Sequence, residues 1–176
     1  MTNSQTDLER LNLIPAGEAE KELLKCCSSG KWARRVTAER PFENIDELIT
    51  TADHIWWSLE PRDWLEAFHS HPKIGEKKAA SAVAAEAQRW SEDEQSGTRN
   101  SAAETMDALA KLNRAYEEKF GYIFIVCASG KSSEEMLAIL RARLQNPADQ
   151  EMRNAAAEQG KITELRLRKL IDNSKS

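Results

Sequence analysis

Two histidines separated by one residue stand at His69-Ser70-His71, followed by Pro72-Lys73-Ile74-Gly75. Neutral imidazole is both an acid/base that titrates near neutral pH and the commonest protein ligand for metals, so the pair admits two chemistries. A catalytic zinc asks for three protein ligands, and the remaining histidine, His54, lies in a hydrophobic helical stretch without HExxH-type spacing. The plain structural reading of a histidine at a helix end is a bond to a backbone carbonyl. His71 differs in one respect: Pro72 confines its backbone to extended geometry at a helix exit, which makes a stiff mount for an acid or base.

Two other places can hold polar chemistry. Ser91, Glu94 and Gln95 open a long helix, where unpaired amides and the positive dipole end favour anionic groups. Ser-x-x-Glu is also a capping box in its own right, so the same residues serve as a helix start or as a polar cluster facing a ligand. Arg166, in ITELRLRKLI, has Ile162 one turn and Gln159 two turns before it on one face, with Leu165 and Leu167 as flanks. Its guanidinium is expected at the margin of an apolar stripe and must find an acceptor, because a buried unpaired charge is very costly. A carboxylate such as Glu94 is one such acceptor and an anionic substrate is another. No phosphate-cradling GxxxxGKS/T, no GxGxxG, no GxSxG elbow and no CxxC pair is present. A reaction here works with side chains alone.

The elements that must position these groups are helical. The 24 alanines and 16 leucines outnumber 3 valines, 10 isoleucines and 8 threonines, and the 7 glycines and 5 prolines are few, a balance that favours helix over turn-rich sheet. Helices are expected from Pro15 to Cys27, stopping at Ser28-Ser29-Gly30; from Lys31 to Ala38, broken at Arg40-Pro41-Phe42; and over IDELITTADHIWWSL, capped by Asn44. Pro61 opens RDWLEAFHSH and Pro72 closes it. The long helix from Ser91 carries Ala102, Met106, Leu109, Leu112, Tyr116 and Phe120 as its seam and ends at Gly121. YIFIVCA, aromatic and β-branched between Gly121 and Gly130, reads as extended; Ser132 with Glu135 boxes the next helix to Leu144, and Pro147 opens a last one to Asp172. Only the first few residues and the NSKS end read as frayed. The sum is an all-α single compact domain over residues 1–176, of seven or eight helices with one short extended segment.

With 25 basic and 29 acidic residues interspersed, the net charge is −4 and no basic block tracks a phosphate backbone, so nucleic acid is not an expected partner. No run approaches the roughly 20 apolar residues that span a bilayer, and MTNSQTDLER lacks the basic-then-apolar order of a signal peptide, so no membrane partner is expected. Cys26, Cys27 and Cys127 form no spaced framework and read as reduced thiols in the cytoplasm.

Taken in order, His71-Pro72-x-Ile74-Gly75, Ser91-x-x-Glu94-Gln95, Leu112-Asn113-x-x-Tyr116-x-x-Lys119-Phe120-Gly121-Tyr122-x-Phe124-x-x-Cys127-Ala128 and Ile162-x-x-Leu165-Arg166-Leu167 resemble the OHCU decarboxylase family. Cys26-Cys27, Trp32 and Arg40-Pro41-Phe42 fit the same pattern, so the resemblance covers most of the chain. It implies an all-helical carboxy-lyase without cofactor or metal, usually a homodimer. Its reaction converts 2-oxo-4-hydroxy-4-carboxy-5-ureidoimidazoline to (S)-allantoin and CO2 in uric acid degradation. By the same resemblance His71, Glu94 and Arg166 are catalytic. Pro72, Ser91, Glu94, Gln95 and the backbone of Phe124, Ile125, Val126, Cys127 and Ala128 contact the substrate. The connection from His71 to Ser91 is alanine-rich and of a length that varies within the family, and Lys73 fills a variable position. Eukaryotic members of the family often end in a peroxisomal tripeptide; this chain ends Ser174-Lys175-Ser176 rather than Ser-Lys-Leu, and the expected location is cytoplasmic.

Two other functions stand beside this one. A helical interaction module without activity would use the five tryptophans, Trp32, Trp56, Trp57, Trp64 and Trp90, as buried anchors. Trp56 and Trp57, being adjacent, point to different sides of their helix and suit core and dimer contact. A metal-dependent hydrolase would use His69 and His71 and would lose activity on chelation, to which the decarboxylase is indifferent.

Overall fold

In the computed structural model, residues 3–72 and 103–172 are described, and they form eight helices and no strand. These are α1 (Asn3–Leu13), α2 (Ala16–Leu24), α3 (Gly30–Ala38), α4 (Ile45–Trp57), α5 (Pro61–His69), α6 (Ala103–Phe120), α7 (Ser133–Arg143) and α8 (Ala148–Ile171). The all-α expectation is borne out. The expected start of α6 at Ser91 lies outside the described residues.

Two compact units divide the chain: Met1–Ala67 with Gly160–Ser176, and Phe68–Gln159. In the first, α3 packs on α2 and α4. Trp32, Val36, Leu23, Leu48 and Leu167 are wholly or almost wholly buried there. Buried indoles keep their N–H groups bonded, Trp32 Nε1 to the Ala52 carbonyl at 3.0 Å and Trp64 Nε1 to that of Trp56 at 2.9 Å. Trp56 is 2% exposed and Trp57 44%, the two-sided arrangement their adjacency predicts.

Local chemistry sets most boundaries. Asn44 Oδ1 accepts from Glu47 N at 2.9 Å and starts α4, and Ser132 with Glu135 forms a reciprocal capping box at α7. Gly121, at φ +82, ends α6 in the left-handed region where a side chain is disfavoured. Three expectations need correction. Of the first few residues expected to fray, those from Asn3 on are helical: α1 occupies Asn3–Leu13, because Leu8 and Leu11, one turn apart, are buried to 2% and 1% exposure. α2 stops at Leu24, short of Cys27, and Ser29-Gly30 begins α3, with the Ser29 hydroxyl accepting from Trp32 N at 3.3 Å. α5 ends at His69, two residues before His71.

Arg40, on the Pro41 break, spans the gap between segments of the first unit. Its guanidinium donates to the carbonyls of Leu11 and Ile14, each at 2.8 Å, and to that of Thr37 at 3.0 Å. Asn12 and Phe42 exchange two hydrogen bonds of 2.9 Å beside it. Orphan carbonyls at helix ends are thereby satisfied by side chains distant in sequence.

In the second unit α6 packs on α7, and residues 122–128 run between them as neither helix nor strand. Tyr116, fully buried, stands against the rings of Phe120, Tyr122 and Phe124 at centroid distances of 4.6, 5.9 and 5.5 Å. Its hydroxyl donates to Glu151 Oε1 at 2.6 Å. Burial, reinforced by that carboxylate, holds the Tyr116 phenol well above its ordinary pKa, so it stays a donor.

Candidate active site

His71 leaves the end of α5 through one turn-like bond, its N–H donating to the Phe68 carbonyl at 3.2 Å. Pro72 follows, and both residues are half-buried. The imidazole Nε2 bonds to Gln159 Oε1, an amide on α8 that is wholly buried. A carbonyl oxygen only accepts, so Nε2 carries the proton and, in the neutral ring, the lone pair sits on Nδ1. This contact fixes both the tautomer and the plane of the ring. In the sequence, the signal for Gln159 is its two-turn spacing from Arg166 on one helix face.

Arg166, in the first unit, is buried to 4% exposure, deeper than the stripe margin its flanking leucines suggest. Its charge acts on the buried Cys27 thiol. Burial pushes the Cys27 thiol up to about 12, against the pull of a Ser29 backbone bond, a Thr163 hydroxyl bond and the Arg166 charge. Cys27 is therefore a neutral thiol at physiological pH. Cys26, Cys27 and Cys127 are all buried and unbridged.

The segment expected to contact substrate is buried throughout, with Phe124, Ile125, Val126, Cys127 and Ala128 at 9% exposure or less. Its carbonyls are gripped by side chains: Arg143 Nη1 donates to that of Ile125 at 2.5 Å and Lys131 Nζ to that of Cys127 at 2.8 Å. Arg143 is itself neutralised by Glu151, Nε to Oε1 at 2.5 Å, and lies 4.7 Å over the Phe124 ring. Glu151 is wholly buried, yet its two oxygens accept from Tyr116, Arg143, Asn146 and Asn154. No sequence signal marked this pair, whose members stand on two helices separated by the Pro147 break.

Ser91, Glu94 and Gln95 lie outside the described residues. His69 and His54 are both exposed, each in the last turn of its helix. Among the described residues no group of three or more histidine, cysteine, aspartate or glutamate side chains is placed to hold a metal ion. A cavity of about 310 Å³ in the first unit is lined by Thr50, Asp53, Trp56, Gly160, Thr163 and Leu167 among others, and none of the expected site residues belongs to it. Among the described residues, no helix is long and apolar enough to cross a membrane.

Comparison with known proteins adds the following. A family model described as OHCU decarboxylase matches residues 12–168. A uric acid degradation bifunctional protein of Arabidopsis thaliana is 39% identical over 155 residues, which are 88% of this chain and 48% of that protein. The chain thus spans about half the length of that relative. A 2-oxo-4-hydroxy-4-carboxy-5-ureidoimidazoline decarboxylase of Amia calva is 32% identical over 140 residues, 79% of each chain. A crystal structure of an OHCU decarboxylase in the presence of (S)-allantoin superposes with a TM-score of 0.74 at 38% identity, covering 86% of this chain and 97% of that one.

Proposed function

Because the chain belongs to the OHCU decarboxylase family, we propose that it removes CO2 from 2-oxo-4-hydroxy-4-carboxy-5-ureidoimidazoline to give (S)-allantoin. His71 carries the reading: the histidine marked by its proline junction is the one whose imidazole is bonded to a wholly buried amide.

The substrate contains its own electron sink. When the bond from C4 to the carboxylate breaks, its electron pair forms a C4=C5 double bond, and the electrons of the C5=N bond move to nitrogen. The C4 hydroxyl then loses its proton and C4 becomes a carbonyl, while C5 and the ring nitrogen each gain a proton, so that one proton from the medium is consumed for each CO2 released. No external electron acceptor enters this balance.

His71, its ring held by Gln159, takes the C4 hydroxyl proton as general base. Glu94 shares that relay or delivers the proton to C5 from one face, which fixes the S configuration. Arg166 orients the substrate anion by paired hydrogen bonds. Ser91, Gln95, Pro72 and the backbone amides of residues 124–128 hold the ring carbonyls and the ureido group. The enzyme works as a homodimer, with the exposed Trp57 indole as a contact residue, and its three unbridged thiols suit the reducing cytoplasm.

The test is turnover of substrate generated in situ from urate, with wild type and His71→Asn, each with and without EDTA. The proposal expects loss of about two to four orders of magnitude in kcat from the substitution, the usual range for a general base, and no effect of chelator. Normal turnover by His71→Asn, or inactivation by EDTA, would overturn it, the latter in favour of a metal site at His69 and His71.

A further inference from the structure

Residues 122–128 present an unusual backbone problem. All but the half-buried Ile123 are buried, yet they belong to no helix or strand that would pair their amides and carbonyls. Buried backbone groups must be satisfied from elsewhere. Two of the carbonyls are satisfied by cations, Ile125 by Arg143 at 2.5 Å and Cys127 by Lys131 at 2.8 Å.

Each of those carbonyls shares one planar peptide unit with the next residue's N–H: Ile125 with Val126, Cys127 with Ala128. In a trans unit the two groups point in opposite directions, so a grip on the carbonyl aims the N–H away from the cation. A charge-assisted bond also draws electron density toward the carbonyl oxygen and makes the N–H at the far end a stronger donor.

Both cations are built into place. Arg143 is 7% exposed, paired with the wholly buried Glu151 and stacked on Phe124. Lys131 is returned toward the segment by Gly130 at φ +74, and its own N–H donates to the Ala128 carbonyl at 3.1 Å. The following residue, Ser132, caps α7 and anchors the turn.

We infer that Arg143 and Lys131 are positioning residues of the decarboxylase site, which through the peptide units 125–126 and 127–128 aim and polarise the Val126 and Ala128 N–H donors that hold the anionic substrate. The inference rests on the assignment of residues 124–128 as substrate contacts in the proposed function. Neither cation touches the substrate; each acts through one peptide bond.

The test uses the full-length ¹⁵N-labelled protein. Lys131→Met is the main variant because Lys131 is half-exposed and its loss leaves the Arg143–Glu151 pair intact. It is expected to move the Ala128 amide proton upfield while leaving that of Val126 in place. It is also expected to raise KM about tenfold, the equivalent of roughly one weakened hydrogen bond, with a much smaller change in kcat and in melting temperature. Lys131→Arg restores both the shift and KM, and Arg143→Met moves Val126 instead. An unmoved Ala128 amide, or a moved amide with unchanged KM, overturns the inference while wild-type turnover leaves the decarboxylase reading standing. Absence of turnover by the wild type overturns both.

Discussion

Glu151→Ala is the perturbation whose cost the structure fixes most directly. The carboxylate is wholly buried and accepts four hydrogen bonds, at 2.6 Å from Tyr116, 2.5 Å from Arg143, 3.0 Å from Asn146 and 3.3 Å from Asn154. Its removal takes the paired carboxylate from the Arg143 guanidinium, 7% exposed, and leaves it the neutral acceptors Ile125 carbonyl and Tyr116 hydroxyl. Breaking one side of a buried pair costs about 3–5 kcal/mol, a large share of the roughly 5–15 kcal/mol that holds a domain folded. At roughly 2–4 °C per kcal/mol for a chain of this length, the melting temperature falls by about 6–20 °C. Calorimetry of Glu151→Ala, Arg143→Met and the double variant Arg143→Met/Glu151→Leu measures this. The double variant removes both charges and is expected to melt above either single one, because an apolar replacement avoids the uncompensated ion. A Glu151→Ala protein melting within about 2 °C of wild type, or a double variant whose losses simply add, would refute the reasoning.

Alkaline pH probes Cys27. Its thiol ionises at 9.0 when exposed and at about 12 in the fold, so its contribution is fully present below pH 9 and is lost as pH rises toward 12, at about 1 kcal/mol per pH unit. Tyr116 is shifted in the same direction and adds to the loss. Melting temperature should fall above pH 9, with a shallower slope in Cys27→Ala; parallel slopes would show that the buried thiol is not responsible. Gln159→Leu frees the His71 ring from its fixed tautomer and is expected to lower kcat about tenfold, one hydrogen bond's worth, more than it raises KM. Steady-state kinetics that showed the reverse split would remove Gln159 from the orienting role. Asn44→Ala deletes the α4 cap and should cost about 1 kcal/mol in urea unfolding, with turnover of the folded protein unchanged.

The legible parts of the sequence were those governed by local rules. Asn44 and Ser132 caps, the prolines at 61 and 147 and the glycine at 121 act within one turn of chain, and the helices begin or end beside them. α1 was illegible because its two buried leucines are too few to reveal a period without knowledge of what they pack on. The Cys26 to Gly30 stretch misled because glycine preceded by serine suits a helix stop as well as a helix start. For the site, His71 was legible through Pro72, a covalent neighbour. Gln159, 88 residues away, and the Arg143–Glu151–Tyr116 network, spanning 35, are products of tertiary packing that no spacing rule reports. Tyr116 and Lys119 show how a family pattern mixes roles. Both belong to the recognisable motif, yet Tyr116 serves Glu151, while Lys119 donates to the Leu144 carbonyl at 2.5 Å at the end of α7.

The central claim is that this chain catalyses a decarboxylation that also occurs spontaneously, and that it controls the face of C5 protonation. The most direct measurement generates the ureidoimidazoline from urate in the presence of EDTA and follows allantoin by circular dichroism as it forms. The account predicts rapid growth of the (S)-allantoin signal at a rate proportional to protein concentration, lost in His71→Asn. Decay at the spontaneous rate to optically inactive product, with wild-type protein present, would contradict it.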